Sequence, residues 1–324
     1  MIIAGIDEAG YGPLLGPLVV GCCAFRVPDP EAGSGKLPCV WKLLSRVVGK
    51  NRCRHGRKLH VNDSKAVYNP TAGLKELERA VLCLLSQPHG IADDIATLLR
   101  YADPALAEHL AGYRWYDGWA DERFPIQADG VAVRISANAF KIACEQAQTR
   151  CVHYIAHVLL ERQFNDLVDK TRNKASASFT LVARHIDRLL QTYAAENLLI
   201  FCDRQGGREH YGHLLRVMFE DWALEIISET EKRAEYRLVN RDRSATIIFC
   251  EKAESLALPV AAASMLAKYL RESLMSRFNR YWQTHLPDLA PTAGYYNDGW
   301  RFLRDIQEVR ASLGVNDAEL IRQR

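Results

Sequence analysis

The sequence predicts an α/β fold, a mixed sheet with helices on its faces. Three observations predict it. Ile2 to Ile6 is a short apolar run ending at Asp7, and Leu14 to Phe25 is a second β-rich run; Gly10, Gly12 and Pro13 separate them. From Leu198 onward, short apolar runs alternate with segments of helical spacing. No linker of the kind that separates two independent domains interrupts the chain. A length of 324 residues accommodates one enlarged domain, or one domain with a helical appendage.

The elements follow in order. Ile2–Ile6 and Leu14–Phe25 read as two strands joined by a tight glycine loop, which puts the acidic pair Asp7 and Glu8 at a strand end. Residues 28–60 are rich in Pro, Gly, Lys and Arg around one helix at Val40–Val48 and read as an insertion. Asn62, Asp63, Ser64 and Lys65 precede a helix over Leu74–Leu85. Helical spacing returns from Ile91 to Tyr113, before an aromatic stretch with Trp115, Tyr116, Trp119 and Phe124; residues 88–130 form a second insertion. Helices are expected over Ala137–Lys170 and Ser178–Ala195. A strand over Leu198–Cys202 then ends at Asp203, and Ala223–Ile227 and Thr246–Cys250 complete five strands. From Glu254 the chain is mainly helical, which divides it into a catalytic domain at 1–260 and a helical region at 261–324 packed on it.

Composition excludes more than it identifies. With 48% hydrophobic and 25% charged residues the chain is an ordinary globular protein. The net charge of +3, from 42 basic and 39 acidic residues, requires any nucleic-acid footprint to be a local patch. Nine cysteines form no CxxC pair, and most sit in apolar surroundings. Cys39, Cys53 and His55 lack a fourth ligand at standard zinc spacing. The apolar N-terminal run carries Asp7 and Glu8 and has no basic leader, so neither a signal peptide nor a membrane span is expected. The expected compartment is the reducing cytoplasm.

Four carboxylates stand where backbone elements end: Asp7, Glu8, Asp203 and Glu254. Taken singly, each is as readily a loop residue or a helix cap. If they converge, their like charges raise one another's proton affinity unless a cation joins them. Hard oxygen ligands suit Mg²⁺ or Mn²⁺, and two such ions about 3.5–4 Å apart stabilise both oxygens of a phosphodiester displacement.

The text around the acids is more specific. Gly5-Ile6-Asp7-Glu8-Ala9-Gly10-Tyr11-Gly12-Pro13 resembles the opening motif of the type 2 ribonucleases H, and Asn62-Asp63-Ser64-Lys65 resembles their Asp-Ser-Lys motif. Lys252-Ala253-Glu254-Ser255 and the run Val260–Lys268, with Arg271 one turn on, are similar to the family's fourth acid and alanine-rich helix. Gly294-Tyr295-Tyr296-Asn297-Asp298 resembles its glycine-tyrosine motif. The resemblance implies an RNase H-like sheet and two-ion hydrolysis of the RNA strand of RNA:DNA hybrids, leaving 5′-phosphate and 3′-hydroxyl ends. It further implies that Asp7 bridges the ions, with Glu8 and Asp203 completing one shell and Glu254 the other.

The features of two subfamilies are mixed. Glu254 matches the ribonuclease HIII pattern, where ribonuclease HII has aspartate, and Tyr11 replaces the basic residue usual in the HII loop.

Substrate contacts are expected from Gly10, Tyr11 and Gly12, whose backbone can approach a 2′-hydroxyl, and from Ser64 and Lys65 on a phosphate. Ser264, Lys268 and Arg271 recur at i, i+4 and i+7 and share a helix face that can meet the duplex backbone. Tyr295 is placed to stack on a sugar or base. Arg277 and Arg280, interleaved with Phe278, Tyr281 and Trp282, read equally as a nucleic-acid track or as a buried helix with exposed arginines. His210 and His213 read as a surface helix start. Two competing functions share these features: an RNase H-fold DNA nuclease or resolvase, and a catalytically silent nucleic-acid binder. Retained carboxylates count against the second, because unneutralised acids repel phosphates.

Overall fold

The computed structural model of the chain describes residues 1–30, 37–53 and 56–323. In chain order the strands are β1 (Ile2–Ala9), β2 (Leu18–Arg26), β3 (Val48–Gly49), β4 (Leu59–His60), β5 (Arg150–Leu159), β6 (Leu198–Asp203), β7 (Ala223–Glu229), β8 (Arg233–Asn240) and β9 (Arg243–Cys250). β3 and β4 pair separately, and the main sheet runs β5-β2-β1-β6-β9-β8-β7. Its centre, β1-β6-β9, is parallel, and every outer pairing is antiparallel. The expected mixed sheet flanked by helices is therefore present.

The expected count of five strands is corrected to seven. β5 lies inside the segment expected as helix over 137–170. Its apolar residues Cys151, Tyr154, Ile155, Val158 and Leu159 fall at i, i+3, i+4, i+7 and i+8, a helical spacing that a strand also tolerates. What the strand shows is alternation: Tyr154, Ala156 and Val158 are buried, with His153, Ile155 and His157 half-buried between them. β8 escapes because Arg233, Glu235 and Arg237 separate its buried Ala234, Tyr236 and Leu238.

Because strand side chains alternate between faces, the sheet supplies two cores. Ile3, Val19, Cys23 and Leu199 join one, against the helices Lys75–His89, Gly130–Gln146 and Leu258–His285. Ile2, Ala4, Ile6, Val20, Cys22 and Ile200 join the other, against Glu161–Thr171 and Lys174–Tyr193. The helix Leu258–His285 starts with Pro259 in its first turn, where no amide bond is lost, and stops before Pro287. It lies so near the sheet that a Cβ on Gly5 would sit 2.1 Å from Val260 N, and one on Gly21 2.3 Å from Ala263 O. The alanines at 261–263 and these two glycines are one adaptation, a backbone-to-backbone approach that larger side chains would prevent. The expected boundary at 260/261 falls inside this unbroken helix.

The insertion at 88–130 packs on the same helix. Trp115 meets Phe278 at 5.5 Å and Trp282 at 6.4 Å between ring centres, and Arg277 and Arg280 both pair with Glu122. These arginines thus hold the insertion, in agreement with the buried-helix reading. Glu78 is fully buried and accepts from the amides of Ile126, Gln127 and Ala128 and from the Tyr269 hydroxyl, all at 2.6–2.7 Å. In the other insertion the helix expected over Val40–Val48 is limited to Val40–Leu43. Cys39 and Cys53 are half-buried, and His55 lies outside the described residues. Among the described residues no helix is long and apolar enough to cross a membrane.

Candidate active site

The three parallel strands bring the acids together because their carboxyl ends share one edge of the sheet, where ligands bind in such sheets. Ile6 is level with Cys202, so Asp7 comes beside Asp203, and Asp203 is level with Cys250. Glu254 follows β9 in the first turn of the short helix Ala253–Leu256. Asp7 points to the side of the Leu258–His285 helix and Glu8 to the opposite side, as alternation requires.

The electrostatics are those of a crowded anionic site. Loss of water pushes the Asp7 carboxyl well above its ordinary range; Glu8 and Asp203 add to this, while the Ser264 hydroxyl and the Glu8 amide, donating at 2.8 Å, oppose it. Glu8 is pushed up to about 7, by desolvation first and Asp203 second, against the Gln205 side chain and the Lys65 charge. Asp203 is pushed up to about 6, chiefly by desolvation, with Glu254 and Asp63 adding negative charge; the Ala253 amide donates to it at 3.2 Å. Among the described residues, no three of these carboxylates bring their oxygens within 4.8 Å of one another. The donor set, four carboxylates whose mutual repulsion favours neutralisation, fits hard divalent cations such as Mg²⁺ or Mn²⁺.

The loop after β1 is pinned from three sides. Arg322 is buried and donates to Pro13 O and Tyr11 O, and its own amide donates to Leu14 O at 2.9 Å. The amides of Leu14 and Leu15 donate to Gly294 O at 2.7 and 3.1 Å, which ties the glycine-tyrosine motif to the loop. Buried Glu161 accepts from the Gly16 amide at 3.0 Å. Gly10 has φ +89°, and a Cβ there would lie 2.5 Å from the Arg271 Nε.

That contact turns Arg271 inward from the helix face expected to meet the duplex backbone. Arg271 is 1% exposed and donates to Ala293 O at 2.9 Å and to Glu272 at 3.3 Å. Ser264 is likewise buried, 3.1 Å from the Ser64 hydroxyl. Helical spacing correctly aligns Ser264, Lys268 and Arg271, but the stripe faces the loop and Ser64 rather than solvent. Lys268 pairs with Glu272 at 2.7 Å and lies over the Tyr68 ring. It lines an open groove of about 640 Å³ together with Lys65, Tyr68, Asn279 and Tyr295. Tyr295 is 54% exposed, and Gly12 is exposed with open space beside it. His210 pairs with Glu229, and His213 lies in the exposed part of the helix Gly212–Met218, so neither joins the acids.

Three residues at the site escaped sequence reading. Gln205 follows Asp203 by two, so proximity in sequence signals it. Lys174, whose ammonium lies 5.0 Å from the Tyr11 ring centre, and Arg322 arrive from distant segments with no local signal.

No family model matches the chain. Ribonuclease HII of Chlamydia abortus is 34% identical over 111 residues, which are 34% of this chain and 48% of that protein. Over that segment the chain is similar to a type 2 ribonuclease H. The match spans about half the length of this curated relative. Among solved structures, ribonuclease H2 of Pyrococcus horikoshii aligns with TM-score 0.45 and 16% identity over 99% of this chain and 92% of that one. Bst-RNase HIII in complex with Mn²⁺ aligns with TM-score 0.48 and 17% identity over 99% and 66%. RNase HII of Archaeoglobus fulgidus, solved with PCNA, aligns with TM-score 0.43 and 14% identity over 100% and 95%.

Proposed function

We propose that this chain is a metal-dependent endoribonuclease that hydrolyses the RNA strand of RNA:DNA hybrids, leaving 5′-phosphate and 3′-hydroxyl ends. The observation that carries the reading is the gathering of Asp7, Glu8, Asp203 and the Glu254 segment at the carboxyl ends of three adjacent parallel strands. Asp7, Glu8, Asp203 and Glu254 would hold two Mg²⁺ or Mn²⁺ ions. Bound there, the ions supply a water of lowered pKa and positive charge for the phosphodiester oxygens.

The chain's own groups do the rest. Ser264 and Gln205 orient Asp7 and Glu8 from opposite faces of β1. Lys65, Lys268 and Tyr295 line the groove, where two cations and an exposed ring can follow a phosphate backbone. The amides of the Gly10-Tyr11-Gly12 loop would meet the 2′-hydroxyl that separates RNA from DNA.

The test is one assay with Mg²⁺ or Mn²⁺ on three labelled duplexes: an RNA:DNA hybrid, a double-stranded DNA, and a DNA duplex holding a single ribonucleotide. Metal-dependent cleavage of the RNA strand alone is the expected result. Cleavage of double-stranded DNA at a comparable rate would establish a DNA nuclease instead, and binding without cleavage a silent binder.

A further inference from the structure

A second cluster of metal-ligating side chains lies on the other face of the sheet. Cys22 on β2, His153 on β5 and His185 on the helix Lys174–Tyr193 place one sulfur and two ring nitrogens within 4.8 Å of one another. The register explains the meeting. Cys22 is level with Ile155 and Ala24 with His153, so sulfur and imidazole leave neighbouring strands on the same face, and the helix lays His185 across them.

The hydrogen bonding leaves lone pairs without a use. His185 is fully buried, and its Nε2 lies 2.9 Å from Val20 O. A carbonyl only accepts, so this Nε2 carries the proton and Nδ1 is left with a lone pair. Among the described residues, His185 Nδ1 and His153 Nε2 are both buried without a hydrogen-bond partner. A histidine that donates to a backbone carbonyl through one nitrogen and offers the other is the usual outer-shell arrangement of a metal ligand. Burial, with Arg188 beside His153, lowers that ring to about 4, and burial with His157 beside it lowers His185, so both are neutral as ligation requires.

We propose that Cys22, His153 and His185 form a binding site for Zn²⁺, separate from the carboxylate site. One thiolate and two imidazoles are a borderline-soft donor set, unlike the hard oxygens at the strand ends. Tetrahedral zinc with bonds of about 2.0–2.3 Å sets ligand atoms roughly 3.5 Å apart, so atoms now within 4.8 Å of one another close by at most about 1.3 Å on binding. The Cys22 thiol gives up its proton to solvent as the Zn–S bond forms. His157 stacks on His185 at 4.3 Å between ring centres, and among the described residues no fourth His, Cys, Asp or Glu donor joins the three, so a water would fill the fourth position. β5 is the sheet's edge strand and His153 is only half-buried, so the ion enters from that edge. Since His185 holds Val20 O and Val20 is level with Glu8, the ion would brace the strand beside the acids.

The experiment is titration of the full chain with Co²⁺ and then Zn²⁺, read by absorption. One equivalent of Co²⁺ should give tetrahedral d–d bands and a sulfur-to-cobalt charge-transfer band that Zn²⁺ abolishes. Cys22→Ser should remove the charge-transfer band, and His185→Gln should weaken binding by about a hundredfold or more. Cys53→Ser and Asp7→Asn should leave the band unchanged, the latter even though it loses cleavage, so the two metal sites are tested independently. The wild-type spectrum needs no variant to fold. Absence of the band, or its survival in Cys22→Ser, overturns the proposal.

Discussion

Asp7 and Glu8 are sequence neighbours with separate environments: one faces Ser264, the other Gln205. Asp7→Asn keeps the shape and removes the charge between the other acids. It is expected to reduce cleavage by several orders of magnitude, with unchanged melting temperature and equal or tighter hybrid binding in a gel-shift assay. Wild-type turnover would sink the metal reading. Glu254 occupies the first turn of its helix, but the cap residue is Lys252, and no side chain caps the helix end. Glu254→Gln should therefore lower turnover by orders of magnitude while leaving thermal stability within about 0.5 kcal/mol, less than the 0.5–2 kcal/mol typical of a lost cap. Normal turnover would transfer the role elsewhere. Tyr11 stands where a cation is usual in the HII loop and supplies only a neutral hydroxyl donor. Continuous hybrids should accordingly be cut faster than a duplex with one ribonucleotide, compared at one salt concentration. Preference for the 5′ side of a lone ribonucleotide would show that Lys174, behind the Tyr11 ring, restores the missing charge.

At the scale of elements, the approach of the Leu258–His285 helix to β1 and β2 carries its own prediction. Gly21→Val forces a side chain into Ala263 O, 2.3 Å from the first added atom. A loss of about 3 kcal/mol or more is expected in urea unfolding, at the upper end for overpacking; a loss below about 1 kcal/mol would mean the helix yields. The same elements show what was legible. β1, β6 and β9 announce themselves because strands covered on both faces read as continuous apolar runs. β5 does not, because its apolar positions also satisfy helical spacing, and β8 hides behind alternating charges. The acids were legible by position and motif. The direction of the Arg271 stripe was not, because its acceptor Ala293 O and the Gly10 notch it fills come from other segments.

For the whole molecule, the tie from Arg322 to the loop after β1 joins residues 309 apart. Arg322→Ala leaves every acid in place but frees Pro13 O and Tyr11 O. Turnover is expected to fall by about tenfold or more, with a raised KM for hybrid and faster amide exchange confined to residues 10–16. Unchanged kinetics with slow exchange there would show that Gly294 and Glu161 suffice. The tie also has a consequence in time. A ribosome adding at most roughly 20 residues per second completes β1 at least about 16 s before it reaches residue 322. Throughout that interval the nascent chain carries its acidic pair beside an unbraced loop, next to the messenger being read. Competence for the proposed cleavage would therefore arrive late in synthesis, with the long-range contact setting its time as well as tying the structure.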